Sequence, residues 1–258
     1  IETLVIDAGF RPILLSSHGD ASQEVGNLDS LRSIRPAGVL LAPLGRASDR
    51  SAIEAFCSEV PTVHFDSNIE GIGEAFVGHD NDQATELMVE YLVRTGEPPV
   101  FFEMRTPSNP NANKRRNAYD VAMKRHGMPA DIIQAEGEGW DFEGIGYREG
   151  SRMISQKAFS TNTVFCSNDR LAIGLLAAAY ELGLRVGHGE GCALRVAGHD
   201  NHPFSRYTSP TLTTISQDYG AIAEKSVETV LSLIESGDRC KQRETTLFEG
   251  ELIMRASA

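Results

Sequence analysis

A chain of 258 residues, 41% of them hydrophobic, can hold one large or two ordinary domains around a sizeable core. Its 36 acidic residues outnumber 24 basic ones, and the formal net charge of -12 excludes this segment as a grip on DNA phosphates by itself, which needs clustered Lys and Arg. No apolar run approaches the length that crosses a bilayer.

Residues 1–8 read as the last turns of a helix, with Gly9 as its stop. A native chain rarely begins inside an amphipathic helix, so residues ahead of Ile1 are expected to be missing. Residues 12–17 follow as a buried strand, 21–34 as a helix, 37–43 as a strand, 48–57 as a helix, and 62–66 and 75–79 as strands. A long helix over 80–95 opens with Asp80, Asn81 and Asp82, where the helix dipole favours negative charge. The loop Gly96-Glu97-Pro98-Pro99 marks a boundary, after which the rhythm restarts.

The restart takes in a strand over 100–104, a polar stretch with Pro107 and Pro110, a basic-headed helix over 113–126, and a strand over 131–135. Trp140-Asp141-Phe142 leads into a helix ending near 157, and a short strand at 164–166 precedes another helix. Beyond a strand at 193–197, residues 219–236 form an amphipathic helix with Ile222, Ser226, Val230, Leu233 and Ile234 on one stripe, stopped by Gly237-Asp238. A strand over 246–254 closes the chain. Strands alternating with helices imply parallel sheets in an α/β architecture, and the two restarts imply two similar lobes, each a parallel β-sheet flanked by helices, with a ligand cleft between lobes. The four cysteines lie far apart with no CxxC pair. Cys57, Cys166 and Cys192 sit in or beside these elements and read as reduced core residues of a cytosolic protein, and Cys240 lies apart from them.

Polar clusters sit where buried apolar runs stop. Asn168 and Asp169 lie at the carboxyl end of the 164–166 strand, and Asp200 at the end of the 193–197 strand. Ligands of open parallel sheets bind outside those strand ends. An amide and two carboxylates suit a ligand rich in hydroxyls, because each carboxylate accepts two or more hydrogen bonds. The plain alternative is that Asn168 and Asp169 only cap the helix. Nothing catalytic assembles: the histidines make no HExxH spacing, Gly187-His188-Gly189-Glu190-Gly191 lacks the strand and helix of a phosphate loop, and Ser16-Ser17-His18 is no nucleophile elbow. No cofactor or metal is implied.

The stretches Gly9-Phe10-Arg11-Pro12, Ala37-Gly38-Val39-Leu40-Leu41, Val77-Gly78-His79-Asp80-Asn81, Arg115-Arg116-Asn117-Ala118-Tyr119, Ser167-Asn168-Asp169, Leu182-Gly183-Leu184-Arg185-Val186, Val196-Ala197-Gly198-His199-Asp200-Asn201 and Leu212 to Gln217 occur in one order along the chain. Together they resemble the effector-binding region of a LacI/GalR-family transcriptional regulator, over essentially the whole chain. The resemblance implies a periplasmic-binding-protein-like type I fold. It places 1–97 plus 218–242 in an N-terminal lobe lacking its first strand, and 98–217 plus 243–258 in a C-terminal lobe.

It also implies an effector-binding set: Asp80, Arg115, Trp140, Asn168, Asp200 and Gln217. Asp80 matches an acidic position beside the ligand, with a helix N-cap as its other reading. Arg115 matches an arginine contacting ligand oxygens, unless the register slips to Lys114 or Arg116; Tyr119, at the family's aromatic position, favours Arg115. Trp140, the chain's only tryptophan, matches an aromatic packed on the ligand ring, with core packing as the alternative. Asn168 and Asp200 match the amide and carboxylate that bond ligand hydroxyls, and Gln217 touches ligand or holds a hinge. The chain departs from the family at Gly187–Gly191, where a Pro-x-Asp loop is usual, at Ala118, where a Gly is usual, and at His199, where an aromatic is usual.

The implied function is ligand sensing and dimerisation for a cytoplasmic regulator that reaches operator DNA through a headpiece absent from this chain. The effector is a small molecule, a neutral sugar first, with a phosphorylated sugar or nucleobase behind it. The second reading is a periplasmic sugar-binding protein of a transport system, and an enzyme comes third.

Overall fold

The computed structural model describes residues 1–106, 109–237 and 243–258; Pro107, Asp238 and Cys240 lie outside them. In chain order the elements are α1 (Glu2–Asp7), α2 (Ala21–Ile34), β1 (Val39–Leu41), α3 (Arg50–Glu59), β2 (Thr62–Phe65), β3 (Ala75–His79), α4 (Asn81–Thr95), β4 (Val100–Met104) and α5 (Pro110–Arg125). They continue with β5 (Ile132–Ala135), α6 (Phe142–Ser155), β6 (Thr163–Cys166), α7 (Asp169–Glu181), β7 (Arg195–Ala197), β8 (Thr214–Ser216), α8 (Tyr219–Ser236), β9 (Glu244–Phe248) and β10 (Glu251–Ile253). None of the described helices is long and apolar enough to cross a membrane.

Two compact units divide the chain: Ile1–His79 with Asp218–Phe248, and Asp80–Gln217 with Glu249–Ala258. In the first, a parallel sheet runs in the order β1-β2-β3-β9. One core layer joins Leu28 of α2 to Ile53 and Phe56 of α3. A second sets Val63, Ala75 and Val77 against Ile222 and Val230 of α8. Strands covered on both faces carry continuous apolar runs, as β3 does.

The second unit holds a parallel sheet in the order β5-β4-β6-β7 and a two-stranded antiparallel pair, β8 with β10. Side chains alternate across the sheet. Phe102, Val164, Cys166 and Val196 pack with Ile145, Leu171 and Leu175 of α6 and α7; Phe101, Phe165 and Ala197 pack with Met88, Leu92, Tyr119 and Met123 of α4 and α5. Helices α6 and α7 approach backbone to backbone. A Cβ on Gly174 would lie 2.2 Å from the Glu143 carbonyl oxygen, and one on Gly146 would lie 2.2 Å from that of Leu171.

Several expectations change. Residues 12–17 form no strand, and Leu14 is 94% exposed. No described strand lies alongside to satisfy their backbone groups, and apolar content alone does not make a strand. The helix expected from 113 begins at Pro110, because a proline at the first helical position loses no hydrogen bond, and Asn109 caps it. The terminal strand expected over 246–254 is two strands: β9 pairs with β3 in the first unit, and β10 pairs with β8 in the second. The compact units therefore differ from the expected lobes. Helix α4 packs on α5 and falls in the second unit, while β9 falls in the first. Cys57 and Cys166 are buried in the core as expected; Cys192 is only partly buried.

Candidate functional site

The Asn109 side chain accepts from the Asn111 and Ala112 amides and fixes the start of α5. That start sets Arg115 beside the carboxyl ends of the parallel strands. Arg115 is 5% exposed, and its guanidinium spreads over three partners. Nε donates to Asn81 Oδ1 at 2.9 Å, Nη1 to the Ser167 carbonyl at 2.8 Å, and Nη2 to Asp200 Oδ1 at 2.7 Å. A planar fork of donors suits such a junction, which a lysine could not reproduce. The neighbouring Arg116 turns instead to Glu103, a fully buried carboxylate whose pKa burial pushes up. Arg115, not Arg116, is thus the arginine bonded to Asp200. Tyr119 keeps α5 on the sheet: its hydroxyl donates to the Pro99 carbonyl at 2.6 Å, its ring stacks on Phe101, and burial pushes its pKa up to about 12.

Asp200 gathers three donors on one oxygen. Besides Arg115, Oδ1 accepts from Gln217 Nε2 at 2.6 Å and meets His199 Nδ1 at 3.2 Å. Burial alone would raise its pKa, but the Arg115 guanidinium and His199 hold it well below the usual carboxylate range. His199, fully buried, is pushed down to about 4 by burial and by Arg115, against the pull of Asp200. The Asp200 backbone stands at φ 110, where a side chain is strained; its amide bond to the Ile215 carbonyl at 2.9 Å helps hold it there. Gln217 is buried, and its Oε1 has no hydrogen-bond partner among the described residues, which leaves an acceptor beside Asp200.

Asn168 caps α7, accepting from the Leu171 amide at 2.8 Å, and follows directly on Ser167, whose carbonyl takes Arg115. Its neighbour Asp169 is a correction to the pair of ligand carboxylates expected here. That side chain is fully buried and consumed internally: Oδ2 accepts from the His202 amide at 2.8 Å and Ser205 Oγ at 2.6 Å, and Oδ1 from Thr214 Oγ1 at 2.6 Å. Burial pushes its pKa up to about 7. Asp80 caps α4 through the Asp82 and Gln83 amides, and it stands next to Asn81. Trp140 is 44% exposed, so core packing does not describe it; its indole meets the Phe142 ring edge-on at 5.7 Å.

All six expected residues lie in the second unit. Arg115, Asp200 and Gln217 are bonded into one cluster, and Asn168 and Asp80 are chain neighbours of its members Ser167 and Asn81. Trp140 stands outside the bonded cluster, at the entry to α6. Sequence reasoning missed Asn81, read only as part of a helix start, and the Ser167 carbonyl, which no side-chain pattern can announce.

Residues 89–258 match the family described as the periplasmic binding protein-like domain. The chain belongs to this family. Among curated relatives, the lactose operon repressor of Escherichia coli is 30% identical over 186 residues, 72% of this chain and 49% of that protein. The chain thus spans about half the length of that relative. The ribose operon repressor of Escherichia coli is 26% identical over 94% of this chain and 72% of its own length. A solved LacI-family transcriptional regulator from Enterococcus faecium with bound ribose has the same fold, with a TM-score of 0.82, 21% identity, and coverage of 100% of this chain and 90% of that one. The curated relatives are operon repressors, in keeping with the LacI/GalR resemblance of this periplasmic binding protein-like chain's motifs.

Proposed function

We propose that this chain is the effector-sensing and dimerisation region of a cytoplasmic LacI-type regulator, and that it binds a small neutral sugar at the strand ends of its second unit. The observation that carries this is the buried Arg115–Asp200–Gln217 cluster. It is charge-balanced, it sits where open parallel sheets take ligands, and it holds the Asp200 backbone in a strained conformation. Asp200, Gln217 and Asn168 offer hydroxyl-bonding groups, and Arg115 is pinned to a carboxylate, so the set favours an uncharged polyol over a phosphate. Asp80 and Trp140 complete the effector-binding set.

Such a protein needs no catalytic machinery. The effector acts only by as much as it prefers one arrangement of the units over another. That preference would pass through a homodimer to a DNA-binding headpiece. The repressor names of the relatives favour this reading over a periplasmic transport protein.

Trp140, the only tryptophan, supplies the test. Titration with a panel of neutral sugars should give a saturable emission change with one of them, abolished in Asp200→Ala. A flat response to every neutral sugar, with saturation by a phosphorylated one, would refute the neutral-sugar class.

A further inference from the structure

Trp140 is a partly exposed indole on a loop, yet its ring has a built support. Phe142 meets it edge-on, with planes at 89°. The guanidinium carbon of Arg170 lies 5.1 Å from the centroid of the same Phe142 ring. Arg170 is in turn clamped at two points by Glu143: Nε to Oε1 at 2.7 Å and Nη2 to Oε2 at 2.6 Å. Trp140 and Phe142 flank the Asp141 cap of α6, while Arg170 lies two residues past Asn168, the cap of α7. The bridge therefore joins the starts of two helices that already touch backbone to backbone at Gly146 and Gly174.

We propose that Arg170, held by Glu143, is a positioning residue that sets the attitude of the Trp140 indole and so determines which ring-shaped effectors this site accepts.

Each link has a directional preference. An edge-on aromatic pair selects one tilt of the indole, a guanidinium over a ring selects one ring face, and a two-point carboxylate clamp fixes the plane of the guanidinium. In series they convert an exposed loop tryptophan into a fixed wall at constant spacing from Asn168. Burial would raise the Glu143 carboxyl, but the Arg170 guanidinium overrides it and holds it below the ordinary range, while Glu143 holds Arg170 up. The clamp thus stays ionised across neutral pH. A flat, fixed wall favours effectors that present an apolar ring face, such as a pyranose with axial hydrogens on one side. Open-chain polyols carrying the same hydroxyls gain little from it.

The inference rests on the reading that Trp140 faces the effector, but its first measurement needs no effector. In the whole 258-residue chain, Arg170→Gln should increase acrylamide quenching of Trp140 about two-fold and lower its emission anisotropy, with helical circular dichroism unchanged. Glu143→Gln should do the same, and the double variant should add nothing, because both changes break one chain of contacts. Arg170→Lys keeps the charge without the fork and should recover only part of the anisotropy. Unchanged quenching and anisotropy in folded Arg170→Gln and Glu143→Gln would overturn the proposal. The second measurement sets a cyclic sugar that binds the parent against its open-chain alditol: the ratio of their affinities should collapse in Arg170→Gln. A preserved ratio also overturns the proposal. A quenching change in a protein that binds no sugar at all would instead leave the clamp standing and defeat the sugar-sensor reading.

Discussion

Asp200 carries several structural obligations at once. It satisfies the buried Arg115 charge, receives Gln217 and His199 on the same oxygen, and holds its backbone at φ 110. Asp200→Asn keeps the shape but strands the guanidinium, so urea unfolding should show a loss of about 3 kcal/mol, at the low end for breaking a buried pair because the Asp200 side chain is 27% exposed. A stability within experimental error of the parent would show that Arg115 is satisfied without it. Asp169 predicts a separate effect on pH. Its pKa rises from 3.8 to about 7, so the folded state holds this proton where the unfolded chain has released it. Its contribution is fully present below the unfolded value and is lost as pH climbs through 7. His199 and His64, both pushed from 6.5 to about 4, act in the opposite sense: their contributions are whole above 6.5 and are lost as pH falls towards 4. The stability of the parent minus that of Asp169→Asn should therefore grow as pH is lowered from about 8 to about 5. A difference that stays level across that range would mean Asp169 does not titrate there.

At the scale of elements, the contact of α6 with α7 decides how firmly the site is framed. Gly174→Ala would press a methyl to 2.2 Å from a backbone oxygen that cannot swing away, and it should cost about 3 kcal/mol in chemical denaturation, or prevent folding. Gly26→Ala in α2 meets nothing within 4 Å and should add roughly 0.5–1 kcal/mol by stiffening the unfolded chain. Equal effects from the two substitutions would remove the close approach as an explanation. The same contrast shows what was legible beforehand. Helices carried their own signals, Asp80 and Asn168 each capping a start, so α2, α4, α7 and α8 lie where the sequence placed them. Strands depend on partners distant in sequence. Residues 12–17 look like a strand and have none beside them, while β8 was read only as part of a motif and becomes a strand through β10. The candidate site was legible where a side chain ends a strand, as at Asn168 and Asp200. It was illegible where the partner is a backbone carbonyl, as at Ser167, or where burial turns a carboxylate inward, as at Asp169.

For the whole molecule, two properties follow from the proposed role and are separable in solution. An effector that binds only the folded chain stabilises it by mass action, by about 2.7 kcal/mol at a hundred times its dissociation constant. The net charge of -12 bears on the other property. Affinity for duplex DNA comes mainly from releasing counterions as Lys and Arg neutralise phosphates, and it weakens steeply with salt in proportion to the contacts made. A chain with 36 acidic and 24 basic residues repels the duplex at long range, so in the proposed role operator contact would belong to a separate, basic element. The 258-residue chain should accordingly leave the mobility of any duplex unchanged at physiological salt, with or without a sugar that raises its melting temperature. Retention of duplex that falls off as a steep power of salt concentration would mean that a cationic surface exists on this region despite its net charge, and the division of labour between sensing and DNA contact would have to be redrawn.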